Sequence, residues 1–169
     1  MSTLKELTQE NHRKAERSAF VGAMMRNQLT PNQWTRYLAW KRDILLFLDA
    51  KLNLNSKHPE FDRTLQFEKD IIDTNGGDSE LHATHDYIEH INSNLKDAWA
   101  HVYVHYLGDL RGGQMLKKIV KLPMSHVEYL DSTGLEAIIR QHLTDDLVDE
   151  ANKGFELTMQ AMNEIMTHE

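Results

Sequence analysis

The chain has 169 residues, 27% of them charged and 40% hydrophobic, with a formal net charge of −7 and no cysteine. That length suits one domain, residues 1–169, with a full hydrophobic core. The lack of cysteine excludes disulfides, thiolate metal sites and cysteine nucleophiles. The acidic balance argues against non-specific nucleic-acid binding. No apolar run approaches a membrane span and the N-terminus lacks a leader-like h-region, so a soluble, cytoplasmic protein is expected.

Helix is expected almost throughout, because three prolines and eight glycines are the main breaks and β-branched alternation is scarce. The first helix is predicted from Ser2 or Thr3 to Arg17, with Thr3 and Glu6 as a capping box. A short helix from Phe20 to Asn27 follows. Thr30-Pro31 then opens a long helix, N-cap followed by first-turn proline, which runs to about Leu54. A helix from Phe61 to Ile72 stops at Asn75-Gly76-Gly77. Asp78 is predicted to cap the next one, which runs to Ser93. A glycine-bearing helix spans Lys96 to Val120 and is broken by Leu122-Pro123. Helices from Leu135 to Leu143 and from Thr144 to Ile165 complete an all-α chain. Trp34, Trp40, Trp99 and Met115 are expected to fill the core.

The glycine-bearing helix poses a question. Its stretch Y-L-G-D-L-R-G-G-Q places Gly108, Gly112 and Gly113 in the helix interior, where each costs about 1 kcal/mol relative to alanine. On a helical wheel the three glycines and Asp109 share a sector of about 140°, with Arg111 pointing away. Close helix–helix packing is one explanation. A carboxylate among the glycines suits the other explanation, a flat ligand lying against bare backbone at a kink. In the first helix, His12 follows Lys5 by two turns, about 10 Å along the axis, and precedes Glu16 by one.

These residues carry a resemblance. Thr8 to Glu16, T-Q-E-N-H-R-K-A-E, is similar to the proximal-helix motif of the haem oxygenases. Tyr106 to Ile119, Y-L-G-D-L-R-G-G-Q-M-L-K-K-I, is similar to their distal-helix signature. Asp149 to Gln160 gives a weaker third match, in family order. The resemblance implies a helical bundle with haem between the first helix and a kinked distal helix. By position, His12 is implied as the axial ligand of the haem iron, with Glu16 behind it. Gly108, Gly112 and Gly113 are implied to let backbone approach the haem, and Asp109 to anchor ordered water near bound oxygen. Lys5, Tyr103 and Arg140 are implied as propionate contacts, and Phe155 as a pocket wall. The implied reaction is oxidative opening of haem by O2 and reducing electrons, giving biliverdin, carbon monoxide and ferrous iron. Haem is then substrate and cofactor at once.

Arg111, His105, Glu136 and Thr158 depart from the family pattern, which commonly has serine, arginine, lysine and asparagine there. Glu136 weakens the propionate clamp, and His105 falls in the glycine sector. The chain is also shorter than typical members and lacks a C-terminal membrane anchor. It is therefore expected as a soluble monomer with a soluble electron donor such as ferredoxin, steered by Lys5, Arg13, Lys14, Arg17, Lys117, Lys118 and Lys121. The alternative is a non-catalytic haem-binding protein for storage, sensing or delivery. A second constellation, His82, His85, Asp86, Glu89 and His90 on one helix with His101 and His105 on the next, has spacing compatible with a metal. Without any Glu-x-x-His pair, most of these histidines are expected at the surface.

Overall fold

A computed structural model describes residues 3–77 and 80–167. Among these no residue forms a strand, and the helices follow the predicted order. They are α1 (Leu4–Leu7), α2 (Gln9–Glu16), α3 (Ala19–Met25), α4 (Pro31–Leu52), α5 (Thr64–Thr74), α6 (His82–Ser93), α7 (Trp99–Val102), α8 (Gly108–Ile119), α9 (Ser132–Gln141) and α10 (Val148–Thr167). A π-helical segment, Tyr103–Leu107, joins α7 to α8. Ser2 and Asp78, named as helix start and cap, lie outside the described residues.

The spine of the bundle is α4. Its capping box is complete: Gln33 N donates to Thr30 Oγ1 (3.1 Å) and Thr30 N to Gln33 Oε1 (2.9 Å). Trp34, Leu38, Trp40, Ile44, Leu45 and Leu48 are buried along it, against Phe20, Phe67, Tyr87, Val102 and Tyr106. The amphipathic α5, α6 and α10 pack around α4, each laying an apolar stripe on the shared core. Trp34 and Trp40 fill the core as expected, whereas Met115 is 64% exposed.

Three expected elements differ. The first helix is broken at Thr8 (φ −106°, ψ 3°), whose hydroxyl donates back to Leu4 O (2.8 Å). Such a bond competes with helix continuation. At the end of α5 the left-handed residue is Asn75 (φ 54°), not a glycine. Gly76 is there for close approach, since a Cβ on it would meet the carbonyl oxygen of Pro31. The irregularity in the long helix lies in Tyr103–Leu107, immediately before Gly108, and no described glycine has a positive φ. The wide turn lets two consecutive side chains turn inward. His105 reaches Tyr87, and the Tyr106 hydroxyl donates to Phe61 O (2.8 Å).

Candidate active site

His12 sits midway along α2, with Glu16 one turn on at the helix end. Its Nδ1 is 2.8 Å from Glu16 Oε1, and the two side chains are 50% and 60% exposed. A carboxylate only accepts, so Nδ1 carries a proton, and in the neutral ring the lone pair is then on Nε2. The ring edge rests on buried Phe155 of α10 (centroids 5.8 Å, interplanar 75°), which fixes its tilt. Asn11 donates to Asn152 of α10 (3.1 Å), so α2 is held against the last helix. Thr8 and Tyr103 pair through their hydroxyls (3.3 Å), and Leu4 packs with Ala100, Leu147 and Ala151. These contacts tie the N-terminal helices to the α7 end of the glycine helix.

Further along, α8 presents bare backbone. A Cβ added at Gly108 or Gly112 would meet nothing within 4 Å. Gly113 is different: its Cβ would stand 2.6 Å from Val127 Cβ. Close packing against Val127 thus gives Gly113 a reason of its own, whereas Gly108 and Gly112 face open space. Val127 ends a 3-10 turn, Ser125–Val127, that is firmly pinned. Asp70 accepts from the backbone N–H of Ser125 and of His126 and from His126 Nδ1, each at 2.8 Å. The Arg63 guanidinium donates to the carbonyls of His126 and Glu128. Loop, turn and α8 thus form one rigid wall.

Asp109 points to the interior. Lys41 Nζ of α4 donates to its Oδ1 (3.1 Å), and the two side chains are only 7% and 12% exposed. Burial pulls the Lys41 ammonium down, but Asp109 and Tyr37 beside it outweigh this and hold it above its ordinary value. Asp109 Oδ2 is buried with no hydrogen-bond partner. A carboxylate oxygen in that position is a ready acceptor for an ordered water. Lys41 and Tyr37 were missed at the sequence level. The available signal was spacing: Lys41 stands at an apolar-stripe position of α4, between Trp34, Leu38, Leu45 and Leu48.

Burial, followed by the nearby Lys41 and His101, pushes the His105 imidazole well below its usual range. His105 and His101 are 1% and 0% exposed, so the expectation of surface histidines is overturned for this pair. The helical spacing that put them on one face was right. That face is the core.

The implied propionate residues are arranged less simply. Lys5 and Arg140 are exposed and Tyr103 is half-buried. Arg140 Nε (2.9 Å) and Arg111 NH2 (3.0 Å) both donate to Glu136 Oε2. Glu136 thus answers both arginines, and these bonds hold its carboxyl below the ordinary value. Two guanidiniums share one carboxylate, so this corner keeps positive charge for an anion. All seven basic residues suggested for donor docking are exposed, with Lys117 paired to Glu128 (2.7 Å) and Lys14 near Glu10 (3.8 Å).

The fold matches solved haem oxygenase structures. Over 95% of this chain and 97% of the other, the haem oxygenase of Leptospira interrogans superposes with a TM-score of 0.80 at 26% identity. Haem oxygenase-1 of Synechocystis sp. PCC6803, solved in complex with heme, superposes over 97% of this chain and 90% of that one with a TM-score of 0.82, at 23% identity. The family model described as Heme oxygenase matches residues 1–138. Among curated relatives, Heme oxygenase 1 of Synechocystis is 26% identical over 97% of this chain and 83% of its own length. Heme oxygenase 1 of Gallus gallus is 31% identical over 95% of this chain, but the match spans 58% of the chicken protein. The chain belongs to the haem oxygenase family.

Proposed function

We propose that this chain binds haem between α2 and α8 and cleaves it oxidatively to biliverdin, carbon monoxide and ferrous iron. Haem, as substrate, supplies the redox-active iron and the ring that is opened; O2 and electrons come from outside. His12 offers Nε2 to the iron, and Glu16 raises the basicity of that nitrogen by accepting from Nδ1–H. Gly108 and Gly112 leave room for a flat ring against the helix backbone. Phe155 holds the imidazole in place. The charge at Arg140 and Arg111, together with Lys5 and Tyr103, orients the carboxylate edge of the ring.

The observation that carries the catalytic reading is Asp109. One of its oxygens is anchored by Lys41 and the other is buried and unpartnered. A carboxylate so held can position water as a proton relay without itself being a strong acid. Family membership and this arrangement favour turnover over the non-catalytic storage, sensing or delivery alternative. The exposed basic residues flanking α2 and α8 suit a small acidic donor of the ferredoxin type. Among the described residues no helix is long and apolar enough to cross a membrane.

Adding haemin to the purified chain tests this reading. A Soret complex is expected, lost in His12→Ala. With a chemical or ferredoxin reductant, a bilin spectrum replaces the Soret band. Asp109→Asn keeps the Soret complex and loses the bilin. A chain that binds no haemin, or an Asp109→Asn variant that makes bilin at the original rate, overturns it.

A further inference from the structure

His90 lies in the last turn of α6, His101 in α7 and Glu150 in the first turn of α10. The consecutive helices α6 and α7 and the distant α10 bring these side chains together. His90 Nε2 is 2.7 Å from Glu150 Oε1, and His101 Nε2 is 3.8 Å from Glu150 Oε2. One ligand atom from each lies within 4.8 Å of the others. His101 is wholly buried, Glu150 is 10% exposed and His90 is 23% exposed, so the cluster opens to solvent on the His90 side.

The proton inventory singles out His101. Its Nε2 is buried with no hydrogen-bond partner, aimed at the carboxylate but beyond bonding reach. Its Nδ1 contacts the Tyr87 hydroxyl at 2.8 Å, and that hydroxyl also contacts His105 Nε2 at 2.8 Å. Tyr87 has one proton, so it donates to one imidazole and accepts from the other. If it donates to His105, His101 donates from Nδ1 and its Nε2 lone pair faces Glu150 and His90. In the opposite order Nε2–H faces the Glu150 carboxylate, and a metal ion binding there displaces that proton. Gly154 of α10 makes room for the assembly, since a Cβ there would lie 3.0 Å from His101 Nδ1 and 3.1 Å from the Tyr87 hydroxyl.

We propose that His90, His101 and Glu150 form a binding site, separate from the haem site, for a divalent first-row transition-metal ion such as Zn2+ or Fe2+. Two imidazoles and one carboxylate are a common donor set for both ions. Metal–ligand bonds of about 2.0–2.1 Å in a tetrahedron put ligand atoms roughly 3.3 Å apart. The two histidines reach different oxygens of Glu150, at 2.7 and 3.8 Å, and one ligand atom from each residue lies within 4.8 Å of the others, so side-chain rotation closes the set onto one ion. Tyr87 holds the buried imidazole from behind, as outer partners of metal-bound histidines do. Solvent access on the His90 side leaves a position for water.

Two sources supply such an ion: dissolved zinc, or ferrous iron released by haem cleavage, the latter resting on the proposed activity. The haem-free full chain is titrated calorimetrically with Zn2+ and, anaerobically, with Fe2+. One-to-one binding of at least one ion is expected. His90→Ala and Glu150→Gln weaken it on the order of 100-fold, and Tyr87→Phe by about tenfold. His85→Ala, which removes an exposed pair with Glu89, leaves it unchanged. His90 is the decisive ligand to remove because it is the least buried, and circular dichroism of each variant verifies folding. Iron that stays with the chain after turnover and desalting identifies haem as the source; zinc in the purified chain identifies solution zinc. No stoichiometric binding of either ion, or binding indifferent to His90→Ala and Glu150→Gln in folded protein, overturns the site. Neither result depends on whether haem is cleaved.

Discussion

Replacing each glycine of α8 by alanine separates the ligand face from the packing face. Gly108 has φ −58° and ψ −48°, helical values that any residue adopts. With nothing within 4 Å of the added Cβ at Gly108 or Gly112, alanine gains helix propensity at no steric cost. That gain is about 1 kcal/mol each. At roughly 2–4 °C per kcal/mol for a chain of this size, the Gly108→Ala, Gly112→Ala double variant should melt about 4–8 °C higher without haem. At Gly113 the added Cβ would sit 2.6 Å from Val127 Cβ, 3.1 Å from Cγ1 and 3.2 Å from Cγ2. Carbon contacts are normally about 3.5–4.0 Å. Asp70 and Arg63 hold the Val127 turn in place, so relief is limited. Overpacking of about 1–3 kcal/mol then cancels or exceeds the propensity gain, and Gly113→Ala should melt at or below the wild-type temperature. Leucine at Gly108 or Gly112 should leave the fold intact and weaken haemin binding at least about tenfold, the equivalent of 1.4 kcal/mol. Thermal melts by circular dichroism and Soret titrations measure both arms. If the Gly108 and Gly112 alanines destabilise the chain, the open face is wrong. If their leucine variants bind haemin as tightly as wild type, the ring does not lie there.

Other perturbations give equally directed outcomes. Lys41→Met strands the Asp109 carboxylate in a buried site, and should cost about 3–5 kcal/mol in urea unfolding. An unchanged midpoint would mean the pair is not buried. Burial pushes the Asp70 carboxyl up, but its bonds from His126 and Ser125 outweigh this and hold it below the ordinary value. Its protonation therefore favours unfolding: this contribution is complete above the unfolded carboxylate range, near pH 4, and is lost as pH falls through the lower folded value. Asp70→Asn should lower the melting temperature at pH 7 and flatten its acid-side decline; an equally steep decline would count against the linkage. Glu136→Gln frees two guanidiniums and should tighten haemin binding at low salt, with the gain fading as ionic strength rises. A salt-independent or absent change would remove Arg140 and Arg111 from the carboxylate-binding role.

The sequence by itself determined the helical class, the order of the helices and the family. Helix starts, stops and apolar spacing are local signals, and the glycine signature and the His12–Glu16 pair each lie within one helix. What those faces meet was decided only in three dimensions. Periodicity put Gly108, Asp109, Gly112 and Gly113 in one sector, but packing gave Gly113 to Val127 and Asp109 to Lys41. The break at Thr8 and the π segment at Tyr103–Leu107 depend on a side-chain bond and on inward partners that composition does not reveal. His101 and His105 showed their shared face in the sequence, yet its burial and its meeting with Tyr87, His90 and Glu150 required three helices to close on one another. A chain records which residues share a side; only the folded bundle decides what stands opposite, because that is set by contacts between segments far apart in sequence.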